Sequence, residues 1–154
     1  MAGTFQVVDL LNSLVRLEHS GNAFYSKMAE RSKDRAQRDF FRFLADQEEK
    51  HEQLYTGLAQ EYAKRPGLTG DLDDNYVDYL QTLVNQSFDF DESIVEDLRA
   101  SVQFALSLEK DTIIFIGEIE TLLAQPDPIF RQIKDEERGH IRMIQKFRED
   151  EGIL

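Results

Sequence analysis

Apolar residues recur every three, four or seven positions through four long stretches of the chain, and each stripe they form is interrupted by Glu or His. The first stretch, from about Val7 to Lys33, places Leu11, Leu14, Glu18, Tyr25 and Met28 along one face of a helix. The second runs from about Asp34 to Lys64 and repeats the spacing with Phe41, Leu44, Glu48, His51, Tyr55 and Leu58, until Pro66-Gly67 stops it. A third begins at Ser93, whose partner Glu96 makes a capping-box match, and reaches about Ala124 through Val102, Ala105, Glu109, Ile113 and Ile116. The run Pro126-Asp127-Pro128 ends it and starts the fourth, with Asp127 as N-cap and Pro128 at the first helical position. That helix carries Phe130, Ile133, Glu137, His140, Ile144 and Phe147 on one face.

The segment from Gly67 to Phe90 is too long for a tight turn between neighbouring helices. Within it Tyr76, Tyr79, Leu80 and Leu83 keep helical spacing, which predicts a crossover with a short helix that links two parallel helices. The expected architecture is an all-α four-helix bundle with a long crossover between helices two and three, in one domain over residues 1–154.

The two halves of the chain repeat each other. Glu18 is followed by Phe24 at the same distance as Glu109 is followed by Phe115, and a Glu-x-x-His pair comes next in both halves, Glu48 with His51 and Glu137 with His140. Asp46 and Asp135 each precede their His by five residues. The pattern is that of duplicated helical hairpins.

Residues three apart on a helix differ by about 300° and share a face, so each Glu-x-x-His pair can clasp one cation. Glu18 and Glu109 complete the set by bridging or capping, since carboxylates span two cations and imidazole suits iron, manganese or zinc. Because 15 of the 154 residues are Glu, a given His has one three positions earlier by chance about one time in ten, and a single pair would mean little. Two pairs among three His, at equivalent places in a repeat and each preceded by a buried-face Glu, mean more, because an unpaired buried carboxylate costs several kcal/mol. His19 points about 100° away from Glu18 and reads as a surface residue. Tyr25, two turns after Glu18, is placed to hydrogen-bond a ligand carboxylate or to donate electrons, with plain packing as the alternative. Phe40, Phe43 and Ile113-Ile114-Phe115-Ile116 read as core, with a dimer face as the alternative.

Composition narrows the chemistry further. With no Cys, disulfides, zinc-thiolate sites and cysteine-ligated iron-sulfur clusters are excluded. A net charge of -12 argues against nucleic-acid and anionic membrane partners and favours cations. No basic segment followed by an apolar run opens the chain, and no stretch is long enough to span a bilayer, so a cytoplasmic protein is expected.

The segments Leu17-Glu18 to Tyr25, Asp46-Gln47-Glu48-Glu49-Lys50-His51, Leu108-Glu109-Lys110-Asp111 and Glu137-Arg138-Gly139-His140 resemble the rubrerythrin and erythrin branch of the ferritin-like superfamily, over nearly the whole chain. The resemblance implies a ferritin-like bundle holding two iron ions per chain, with manganese or zinc as alternatives, on Glu18, Glu48, His51, Glu109, Glu137 and His140. It also implies that Tyr25 contacts a ligand Glu, and that the activity is oxidoreduction of hydrogen peroxide or dioxygen. Rubrerythrins carry a Cys-rich rubredoxin domain that delivers electrons. This chain, lacking Cys, would take them from an external donor such as a rubredoxin or flavoprotein, and a homodimer is the expected assembly. Thr112 stands where rubrerythrins usually place an extra Glu ligand, which favours the alternative of a non-enzymatic iron-binding or iron-sequestering protein. Bacterioferritins share the six ligands, but Glu49 occupies the place of their haem-binding Met, so no haem is expected; only 14 residues follow His140, too few for the fifth helix of ferritin cages.

Overall fold

The computed structural model describes residues 5–65 and 72–153. Four long helices form the bundle: α1 (Val7–Arg31), α2 (Arg35–Ala63), α4 (Leu98–Leu122) and α5 (Pro128–Asp150), with the shorter α3 (Asp74–Val84) in the crossover. Among the described residues there is no strand, and no helix is long and apolar enough to cross a membrane. The main pairings are α1 with α2 and α4 with α5, and α1 also packs on α4. The bundle is thus two helical hairpins laid together.

Each helix start has a local cause. The Asp34 carboxylate accepts hydrogen bonds from the backbone N–H groups of Ala36 and Gln37 at the head of α2, and Asp127 accepts from Ile129 N at the head of α5, with Pro128 in the first turn. The Asp127 carboxylate also accepts from the Tyr62 hydroxyl at 2.8 Å, which ties the end of α2 to the start of α5. The stop attributed to Pro66-Gly67 lies outside the described residues.

The third long helix starts later than its pattern predicts. Residues Glu92–Glu96 form a 3-10 turn capped by Asp91, and α4 begins at Leu98 with Asp97 accepting from the N–H groups of Arg99 and Ala100. Ser93 therefore does not cap a long helix, and Glu96 instead accepts from the Arg31 guanidinium at 2.7 Å. The turn buries Val95 and gives the Ile94 carbonyl a partner in the Ser101 hydroxyl, contacts that a helix continued from Ser93 would lose.

The core is built from the predicted stripes. Leu10, Leu11, Leu14, Leu17 and Phe24 of α1 meet Phe41, Leu44 and Tyr55 of α2, Phe115, Ile116 and Ile119 of α4, and Phe130, Ile133 and Ile144 of α5, all buried. Each such side chain contributes about 1.5–3 kcal/mol of burial free energy. Phe43 and Ile114 depart from the expectation of core positions: they are 42% and 45% exposed, because each lies beyond the edge of its helix's inward stripe. Phe40 and Ile113 are half-buried. The crossover is held by Leu80 in the core, by Arg16 donating to the Val84 carbonyl, by Gln86 donating to Asp111, and by the Tyr76 and Tyr79 hydroxyls on Glu118.

Candidate metal centre

The six predicted ligands meet in the middle of the bundle, and none is more than 5% exposed. Two groups of donors form there: Glu18, Glu48 and His51, and Glu48, Glu109, Glu137 and His140, with the donor atoms of each group within 4.8 Å of one another. Glu48 belongs to both. Glu137 also spans the pair, with Oε1 2.6 Å from His51 Nδ1 and Oε2 3.4 Å from His140 Nδ1. Glu18 Oε2 lies 4.0 Å from His51 Nδ1, and Glu109 Oε2 3.8 Å from His140 Nδ1. The geometry therefore separates roles that spacing left open: Glu48 and Glu137 lie between the two positions, while Glu18 and Glu109 each flank one.

Donor chemistry and hydrogen bonding both fit metal ions. Among the described residues, the buried side-chain atoms without a hydrogen-bond partner are Glu18 Oε2, His51 Nδ1, both Glu137 oxygens, His140 Nδ1 and the Tyr55 hydroxyl. All but the last belong to the predicted ligands. His51 Nδ1 and Glu137 Oε1 approach closely without the angles of a hydrogen bond, as two donors aimed at a common cation do. Buried polar atoms are almost always paired, so a cluster of five orphans made only of carboxylate oxygen and imidazole nitrogen matches the preferences of iron, manganese or zinc.

Electrostatics point the same way. Burial lifts Glu18 well above the ordinary carboxylate range, and the charges of Glu137 and Glu109 add to it. Glu109 is pushed up to about 8 by burial and then by Glu137. Burial acts downward on His140, but the nearby carboxylates of Glu109 and Glu137 outweigh it and raise it to about 10. His51 is raised in the same sense, Glu137 and Glu136 overcoming burial. Burial would also raise Glu137, yet the close approach of Glu109, His140 and His51 holds it well below its usual range. Four carboxylates shielded from water need positive charge; metal-free protein must draw it from protons, which cations replace.

Neighbouring residues orient the donors. The Tyr25 hydroxyl donates to Glu109 Oε1 at 2.9 Å, the ligand-carboxylate contact foreseen for it. Thr112 is buried, its hydroxyl 3.3 Å from Glu18 Oε1 and 3.2 Å from the Leu108 carbonyl. Glu136 accepts from His51 Nε2 at 2.9 Å, which fixes the proton there and leaves Nδ1 as the inward donor. Gly21, one turn after Glu18, lets Glu48 approach: a Cβ there would stand 3.3 Å from Glu48 Cδ and Cγ. Neither Glu136 nor Gly21 was singled out from the sequence, although Glu136 directly precedes a ligand and Gly21 shares the face of Glu18. His19 is exposed as expected and meets Glu52 at 3.1 Å. Asp135 pairs with Arg138 on the surface, and Asp46 is exposed, so the repeated Asp positions lie outside the centre.

Comparison with known proteins bears on the fold and the family. In overall shape the chain is similar to a Thermotoga maritima protein described as a ferritin-like diiron-carboxylate protein, with a TM-score of 0.69 at 22% identity over 96% of this chain and 97% of that one. It is similar to a Pyrococcus furiosus protein described only as hypothetical, also with a TM-score of 0.69, at 21% identity over 94% of this chain and 89% of that one. No curated protein matches the chain. These likenesses carry the fold. The rubrerythrin family model matches residues 9–148, nearly the whole chain and every donor of the centre, and the chain belongs to the rubrerythrin family.

Proposed function

We propose that the protein is a diiron oxidoreductase that reduces hydrogen peroxide or dioxygen with electrons from an external donor, holding two irons on Glu18, Glu48, His51, Glu109, Glu137 and His140. The observation that carries this reading is the pair of donor groups sharing Glu48, with five of their inward atoms unpartnered. Iron bound there would supply the redox equivalents and Lewis acidity that peroxide or dioxygen reduction requires.

The chain's own residues do the rest. Glu48, which belongs to both donor groups, and Glu137, which approaches both imidazoles, would offset the mutual charge of two cations held there. Glu136 keeps the His51 proton on Nε2, and Tyr25 holds one oxygen of Glu109 by donating to it. The Phe43 ring lies edge-on 6.3 Å from that of His140, the Tyr25 and Phe41 rings stack on each other, and none of the six donor residues is more than 5% exposed. Bulk water is thereby limited and charge interactions inside are strengthened.

A second reading, iron binding without turnover, is favoured by Thr112, a hydroxyl in place of an additional carboxylate. Elemental analysis of protein purified without oxygen, followed by peroxide consumption with a reductant and a redox partner, separates the two. About two irons per chain and sustained turnover support the oxidoreductase; iron without turnover supports sequestration. Metal-free protein that takes up no iron removes both. The exposed Phe43 and Ile114 are consistent with a homodimer, which sedimentation measures directly.

A further inference from the structure

Tyr55 has no role in the centre as described. It follows His51 by one turn on α2, its ring centroid 6.1 Å from the imidazole and tilted by 45°, and it is fully buried. Among the described residues its hydroxyl has no hydrogen-bond partner. Such a group is costly to bury, and Phe would fill the same space without that cost. Burial, followed by the charges of Glu18, Glu137, Glu109 and Glu136, raises the hydroxyl well above its ordinary pKa.

The internal repeat shows that this hydroxyl is not a packing necessity. The residue four after His140 is Ile144, and the residue seven after Glu109 is Ile116, so Tyr55 and Tyr25 are each matched by a buried Ile in the second half. Tyr25 crosses the bundle and is spent on Glu109. At the opposite end Glu18 Oε1 has the Thr112 hydroxyl nearby, Glu18 Oε2 is unpartnered, and Tyr55 brings a donor that no protein acceptor meets. At the Glu109–His140 end the one tyrosine hydroxyl is already committed to Glu109, whereas the Glu18–His51 end has a spare hydroxyl donor one turn from His51.

We propose that the Tyr55 hydroxyl donates a hydrogen bond to a small non-protein anion, with an oxygen or nitrogen acceptor atom, bound at the Glu18–His51 end of the centre. This rests on the metal-centre reading above and assigns the end at which an exogenous ligand is held. Tyr55 contributes no electron and no proton in this role; it fixes the ligand's orientation.

The test uses Tyr55→Phe and wild-type protein loaded with Co(II), a redox-stable stand-in for Fe(II), and titrated with azide while the visible cobalt bands are followed. Both proteins should bind the same amount of cobalt, and the variant should bind azide about fivefold to tenfold more weakly, as expected for one lost hydrogen bond. Metal-free Tyr55→Phe should melt at or above the wild-type temperature, since an unpartnered buried hydroxyl has been removed. Equal azide affinity, loaded wild-type protein with no azide response, or a lower melting temperature for the metal-free variant overturns the inference while leaving the metal centre standing. Failure of the wild-type protein to bind cobalt or iron overturns the centre itself, and the inference with it.

Discussion

Gly21→Ala should weaken metal binding without weakening the metal-free fold. The added methyl group would stand 3.3 Å from both Cγ and Cδ of Glu48, closer than the 3.4–4 Å of ordinary contact. Glu48 is a flexible side chain, so it yields by a few tenths of an ångström and the backbone need not move. Metal-ligand distances tolerate only about 0.2 Å, however, and Glu48 stands in both donor groups, so one displacement disturbs both positions. By comparison with other groups that position a metal ligand, the loss should be about tenfold to a hundredfold in affinity, or ~1.4–2.8 kcal/mol. The same substitution replaces a helix-interior Gly by Ala, worth about 0.5–1 kcal/mol in favour of the fold. The two effects have opposite signs and separate measurements: calorimetric titration with Co(II) or with anaerobic Fe(II), and thermal melting of the metal-free protein. Wild-type metal affinity in Gly21→Ala would refute the claim that Glu48 must occupy that space.

Other expectations concern protons, ligands and caps. In metal-free protein Glu109, at about 8, binds its proton more tightly when folded, so its contribution is fully present below the usual carboxylate range and is lost as pH rises through about 8. His140, raised to about 10, contributes below its ordinary value and loses that contribution up to about 10. Glu137, held low, contributes above the ordinary carboxylate range and loses that contribution only in more acid solution. The metal-free melting temperature should therefore rise from pH 8 to pH 5 and the metal-loaded one should fall as protons displace cations; parallel profiles would count against the centre. His140→Ala should lose most bound metal while keeping its helical circular dichroism, and two tightly held ions in that variant would exclude His140 as a ligand. Asp127→Ala removes both the α5 cap and the Tyr62 partner and should cost about 2 kcal/mol in urea unfolding; a loss below about 0.5 kcal/mol would show that neither bond contributes.

Much of the centre is legible in the sequence because a carboxylate on an apolar stripe is hard to explain without a partner. Glu18 and Glu109 stand out for that reason, and the repeat pairs each with a Glu-x-x-His. Tyr25 is legible by its two-turn spacing. What spacing cannot give is the neighbour on another helix: Gly21 matters because α1 and α2 approach closely there, and Glu136 matters because α5 is rotated to bring it under His51. The start of α4 is ambiguous locally, since Asp91, Ser93 and Asp97 all carry cap chemistry within seven residues. Burial of Val95 and the Ser101 bond to Ile94 decide in favour of Asp97, and both depend on tertiary packing. Phe43 and Ile114 look like core by composition alone, yet they sit at the margins of their stripes.

The sharing of Glu48 has a consequence for how the chain assembles. One donor group lies wholly within the α1–α2 hairpin, whereas the other joins Glu48 to three residues of the α4–α5 hairpin. The first hairpin thus carries a partial chelate of its own, and the second reaches its complement only by docking onto Glu48. A cation captured early by the first hairpin would neutralise the charge that otherwise opposes bringing Glu109 and Glu137 into the interior, and metal would then act as a template for the meeting of the halves. Two separately produced hairpins should accordingly recombine in proportion to the metal supplied, as fragments complementing one another around a shared ion.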